Sequence, residues 1–335
     1  MPVYGTDIQL AICFQNSYNT VGDITNSAQS IAVINESFNA QQPLMASENL
    51  RNRVDRGDAY AGAKEVTGEI EFEVVPKSIG YLLRTCLNRT SSVQSDSLYN
   101  HTFQPETALN QPNSPMRPVT VMKRIPNGQG ISTNNYYNLN ASGIEFSCEA
   151  GGFLKAKVPF IGGRNDNAQV DITPSYPTDD PFTFDQCSFT IGGNAVDYIK
   201  SFTVSIDESL ETKHTLCDSG DHWPNRVVRG GFRTGTINCT LSFDNSSEYI
   251  AFRGDAASPP PLGQIVTARF TQPVEPQSGY PYTFLLYMPK VKWESFEAPT
   301  QGAGEIEVSL TGRLKYDNSA GYMFSSTLIN TQSAY

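Results

Sequence analysis

The chain has 335 residues, 34 of them acidic and 24 basic, for a net charge of -10, so its overall field repels polyphosphates and argues against tight nucleic-acid binding. No apolar run is long enough to cross a bilayer as a helix, and the start Met1-Pro2-Val3-Tyr4-Gly5-Thr6-Asp7 lacks the basic, apolar and small-residue order of a secretory signal. Assembly in a cytoplasm without membrane insertion is therefore expected. The six cysteines include no C-x-x-C pair and only three histidines accompany them, so they read as small buried hydrophobes and no metal or other cofactor is expected.

Gly and Pro separate short alternating runs of Thr, Ser, Asn, Val, Ile, Phe and Tyr, which is an all-β composition. In chain order, Ile34 to Phe38 is followed by a long loop at about 39 to 65. Next, Glu69-Ile70-Glu71-Phe72-Glu73-Val74 alternates so that Ile70, Phe72 and Val74 share one face and three glutamates the other. Pro76 to Leu87 has apolar residues at helical spacing and predicts a short helix laid on the dry face of the sheet. The stretch from Leu87 to Arg117, full of Asn, Ser, Gln and Pro, reads as an outward decoration. Residues 169–182 are rich in Pro and Asp and read as a linker. A second long loop at about 211 to 232 precedes Thr236 to Phe243, which alternates in the same phase as the first strand, and Ser246-Ser247 is placed to start a second helix.

Five segments recur in the same order. Asn52-Arg53-Val54-Asp55-Arg56-Gly57 returns as Asn225-Arg226-Val227-Val228-Arg229-Gly230, and Ile34-Asn35-Glu36-Ser37-Phe38 as Ile206-Asp207-Glu208-Ser209-Leu210. Thr67 to Phe72 returns as Thr234 to Cys239, Tyr81 to Arg84 as Tyr249 to Phe252, and Leu154 to Val158 as Ile306 to Leu310. Shared order over so much chain argues for duplication. The expected organisation is a first domain at 1–168, the linker at 169–182, a second domain at 183–320 and a tail at 321–335, with one short helix per domain.

Leu50 to Gly57, Glu65 to Val74, the helix start at Ser78 to Leu83, Tyr282 to Val291 and Ile306 to Gly312 together resemble the tail tube proteins of long-tailed, siphovirus-like bacteriophages over most of the chain. That resemblance implies tandem β-sandwich or split-barrel domains whose inner sheets join between subunits into one barrel around a channel. Six such domains make a ring, so a two-domain chain needs three copies, a homotrimer with approximate sixfold symmetry. It also implies a structural virion protein whose stacked rings pass double-stranded DNA into the host. Its implied partners are the tape measure, tail terminator and distal tail proteins.

Two residue groups stand out. Glu69, Glu71 and Glu73 read either as a channel lining that repels phosphate or as an ordinary wet face balanced by Lys155 and Lys157. Arg53, Arg56, Arg226 and Arg229 read as inter-subunit contacts to carboxylates, because solvated loop arginines do not explain their repetition in both copies. His214, Cys217 and His222 lie close together in the sequence but lack zinc spacing, and Trp223 and Trp293 read as core or interface anchors. No Gly-rich phosphate loop and no convergent acid/base set is visible, so a hydrolase has nothing to rest on and the chain is read as a non-enzyme. The alternative reading is a carbohydrate-binding or adhesive β-sandwich.

Overall fold

The computed structural model describes residues 4–49, 54–55, 57–106, 117–127, 130–166, 172, 175–216, 221–243, 263–299 and 306–335. The first half runs through β1 (Gln9–Phe14), α1 (Ile24–Ser27), β2 (Gln29–Ile31), β3 (Asn35–Glu36), β4 (Asn39–Gln41), β5 (Leu44–Ala46), β6 (Ala59–Ala61), β7 (Glu65–Glu73) and α2 (Ile79–Leu87). It continues through β8 (Asn88–Ser95), β9 (Leu98–Pro105), β10 (Val119–Asn127), β11 (Gly130–Ala141), β12 (Gly143–Glu149), β13 (Lys155–Ile161) and β14 (Arg164–Asp166). The second half holds β15 (Cys187–Ile191), β16 (Asn194–Ala195), β17 (Ile199–Asp207), β18 (Leu210–Lys213), β19 (Arg226–Arg229), β20 (Thr234–Ser242), β21 (Gly263–Thr271), β22 (Thr283–Glu297), β23 (Glu307–Leu314) and β24 (Ser325–Asn330). The chain is all-β, with antiparallel pairing throughout the described strands.

One sheet carries the site. Its order is β3 and β4, then β7, β13, β12, β17, β20, β23 and the last stretch of β22. Strand β7 behaves as its alternation demands: Ile70 and Phe72 are buried while Glu69, Glu71 and Glu73 look outward and are half-buried. The inward side continues through Ala156, Val158, Phe146, Val204, Ile237, Cys239 and Leu310, all buried. Each such large side chain contributes about 1.5–3 kcal/mol when fully covered, and this shared dry face is what fixes the strand register.

A second layer covers that face. In the first half it is β2, β1, β10 and β11, paired in that order, and Phe38 stacks on Tyr136 of β11 at 5.5 Å. In the second half it is β15, β21 and the first stretch of β22, where Phe202 of the site sheet packs on Phe189 and Phe270. Most of the buried apolar side chains form one continuous cluster drawn from both halves, and Ala11, Cys13, Ile24 and Met122 form a small second one. β1 and β15 fill matching places, each preceded by a single 3-10 turn and each paired with a nine-residue strand of its own layer, β10 or β21. Nothing in their sequences announces it.

The repeat itself needs one shift. Asn39 pairs with Thr67 and Asp207 with Thr234, so Phe38, not Ile34, stands where Ile206 stands. Both lie beside a glycine, Gly68 or Gly235, and a Cβ at Gly68 would come within 2.3 Å of the Phe38 ring. The similarity of Ile34 to Phe38 with Ile206 to Leu210 is therefore a slipped match, overruled by the burial of Phe38 and Ile206.

Helix α2 forms where the spacing predicts it, with Ile79, Leu82, Leu83, Cys86 and Leu87 buried, although Ser78 turns its hydroxyl to Val75 O at 3.4 Å instead of capping the helix. The expected second helix lies outside the described residues. The segment expected as a decoration forms the β8–β9 hairpin, and the segment expected as a tail supplies β24, which inserts between β9 and β22. Beyond β24, buried Tyr335 packs edge-on against Tyr81 and His101. The described part of the linker is tied down at several points: Phe182 is buried and bonds Val74 O, and Asp179 pairs with Lys77 at 3.0 Å.

Candidate functional site: a polar sheet face and two open edges

The outward face of the site sheet is a ladder of polar residues whose order follows from strand register. Glu71 lies opposite Lys157, which lies opposite Glu145, then Ser205, Thr236 and Arg313. The next row reads Glu73, Lys155, Ser147, Thr203, Asn238 and Thr311. Lys157 Nζ reaches Glu69 Oε1 at 2.9 Å. That hydrogen bond, with the nearby charges of Glu145 and Glu71, raises the ammonium above its ordinary pKa. Part of the balancing anticipated from Lys155 and Lys157 is thus present, yet Glu71, Glu73, Glu145, Glu149 and Asp207 leave carboxylates in the majority on this side. The face also carries a shallow depression of about 310 Å³, lined by Glu69, Glu145, Lys157, Ser205 and Asp207.

That depression marks the seam between the two halves. β12 of the first half and β17 of the second pair over seven residues, from Gly143↔Asp207 to Glu149↔Ser201. At the two ends of the sheet, β3 and the Ser295 to Glu297 stretch of β22 are each joined to a strand on one side, and no strand pairs with their other sides among the described residues. An unpaired edge invites another strand.

The arginines take different places. Arg53 and Arg56 lie outside the described residues, and Arg226 is exposed on β19. Arg229 Nη2 reaches Glu208 Oε2 at 2.7 Å while Arg233 Nε reaches Glu208 Oε1 at 2.6 Å. Glu208 is buried, and its backbone N–H bonds Ser142 O across the seam at 2.8 Å. Sequence reasoning passed over Glu208 and Arg233. The available signal was a carboxylate at a strand end within the repeated segment.

Among the described residues of the second long loop, β18 and β19 form a hairpin lying on the first half. Thr212 Oγ1 donates to Glu65 Oε1 at 3.0 Å, Arg164 pairs with Asp221, and the Lys64 ammonium sits 5.2 Å from the centre of the Trp223 ring. Trp293 is a core residue whose Nε1 donates to Gln264 Oε1 at 2.7 Å. His214 and His222 are exposed, and Cys217 lies outside the described residues. No group of three potential metal ligands occurs among the described residues. Burial pushes the thiols of Cys13 and Cys148 up to about 11 and that of Cys187 to about 12, which suits packing and not nucleophilic attack.

A family model described as phage tail tube protein matches residues 5–314. The search among curated proteins returned no match.

Proposed function

Because this chain belongs to the phage tail tube protein family, and is thus a structural protein of the virion tail, we propose that it polymerises with itself edge to edge into the rings of that tube. The observation that carries this reading is the β12–β17 seam, an in-chain example of the joint that successive copies would make. Matching strands by register puts Ser295 where Glu145 stands and Ser37 where Ser205 stands. The open end of β22 would then meet β3 of the next copy with Ser295 opposite Ser37. Closing the sheet in this way removes both edges.

On this reading the two halves are tandem tube domains, and three chains complete a ring of six. The ladder bearing Glu69, Glu71 and Glu73 faces the lumen, where excess carboxylate keeps the phosphates of passing DNA from adhering. Assembly takes place in the host cytoplasm, and the tape measure, terminator and distal tail proteins meet the ends and interior of the tube. The test is a rotational average of assembled particles seen end-on. Three identical chains around the axis support the proposal, and six full chains overturn the ring count. Paired cysteines at Ser37 and Ser295 test the joint itself, because they should close disulfides between copies only in assembled material.

A further inference from the structure

The β5–β6 hairpin is exposed on both strands, with nothing covering it among the described residues. Leu44 is 72%, Met45 57% and Tyr60 60% exposed, although each is a side chain that gains from burial. Its counterpart in the second half, β18–β19, is seated. The two hairpins open alike, with Leu44 opposite Ala61 and Gly62 N–H bonded to Pro43 O, and with Leu210 opposite Arg229 and Gly230 N–H bonded to Ser209 O, so Leu44 corresponds to Leu210 and Ala46, two residues on along the same face, to Thr212. Thr212 lies on the first half, bonded to Glu65 just inside β7 and in reach of Gly162 just beyond β13.

The matching platform on the second half is therefore definable. Phe232 stands two residues before Thr234 as Glu65 stands two before Thr67, and Tyr316 follows β23 where Gly162 follows β13. Phe232 is 93% and Tyr316 53% exposed. The seat that is polar within the chain, Thr212 on Glu65, becomes apolar at the matching place, the hairpin face bearing Leu44 and Ala46 on Phe232. Two exposed apolar surfaces on one chain, placed at opposite ends of the same repeated geometry, fit each other and not water.

We propose that the β5–β6 hairpin clasps a second copy of this chain, with Leu44 seated against Phe232 and Tyr316 of the copy whose β22 edge meets its β3. This rests on the edge-to-edge reading above and assigns to the first long loop a grip on a neighbour within the ring. Leu44 and Phe232 do not cover one another inside one chain, since both are largely exposed.

The experiment uses full-length chain carrying Leu44→Cys, Phe232→Cys and Cys217→Ser, assembled, mildly oxidised and run on a denaturing gel without reductant. The clasp predicts a ladder of covalent multimers that stops at the number of chains in one ring. A ladder that climbs without limit would place the contact between rings, and monomer alone would mean no contact; either overturns the inference. A second chain with Ser37→Cys, Ser295→Cys and Cys217→Ser reports on the edge joint separately. If its ladder closes and the first does not, the clasp fails while edge-to-edge assembly stands. If neither forms in assembled particles, both fail.

Discussion

Replacing Glu208 by Ala should loosen the seam between the two halves. The carboxylate is buried and takes one charge-assisted hydrogen bond from Arg229 at 2.7 Å and one from Arg233 at 2.6 Å. The Arg233 side chain is only 11% exposed, so its charge would be left without its carboxylate partner in a poorly solvated place, whereas Arg229, at 30%, can turn to water. Removing one partner of a buried pair costs about 3–5 kcal/mol, and the more exposed pair adds less than about 1 kcal/mol. A loss of about 3–6 kcal/mol is expected for the unassembled chain. At about 2 °C per kcal/mol for a chain of this length, that lowers the melting midpoint by about 6–12 °C. Urea unfolding followed by circular dichroism reads the free energy directly. A double variant, Glu208→Leu with Arg233→Leu, should recover much of the loss, because it leaves no orphaned charge. A Glu208→Ala midpoint within about 1 °C of wild type would refute the reading that the buried Glu208 carboxylate holds Arg229 and Arg233 in place.

Phe146→Ala removes a fully buried ring from β12 beside Phe284 and should cost about 3–5 kcal/mol in the same unfolding assay. Lys157→Ala breaks a half-exposed pair with Glu69 and should change stability by less than about 1 kcal/mol. Glu71→Lys combined with Glu73→Lys should leave assembly intact yet slow DNA release from particles at low salt, an effect that added salt erases. Burial lowers the pKa of His101, which is fully enclosed and bonded to Ser92 and to Gln332 O. The folded state therefore binds the proton less readily than the unfolded chain, and stability falls as pH drops below about 6.5 towards the folded-state value. His101→Gln should flatten that part of the stability profile, measured as unfolding midpoints at about pH 7 and pH 5.

What the sequence disclosed was local. Period-two alternation placed Ile70 and Phe72 on the dry side of β7, and helical spacing located α2. Partners across space were not legible, because alternation says which face a residue takes and not which strand lies beside it. Hence β12 meeting β17, β24 inserting beside β9, and the matching places of β1 and β15 came only from pairing. The slip between Ile34 and Phe38 has the same origin. Side-chain likeness favoured one alignment, while the space above Gly68 admits Phe38.

The polar ladder differs between the halves: Glu69, Glu71 and Glu73 stand in positions that the second half fills with Thr236, Asn238 and Thr240. Were the halves separate polypeptides, a ring could gather six that bear the glutamates, six that lack them or any mixture, and each would present a different potential. Joining them in one polypeptide removes that combinatorial freedom. On the edge-to-edge reading, every ring made from such chains would alternate sectors that bear these three glutamates with sectors that lack them, in equal number, so that pattern would be set at translation and need no sorting step, and the two sectors would be free to diverge in sequence without ever losing count of each other.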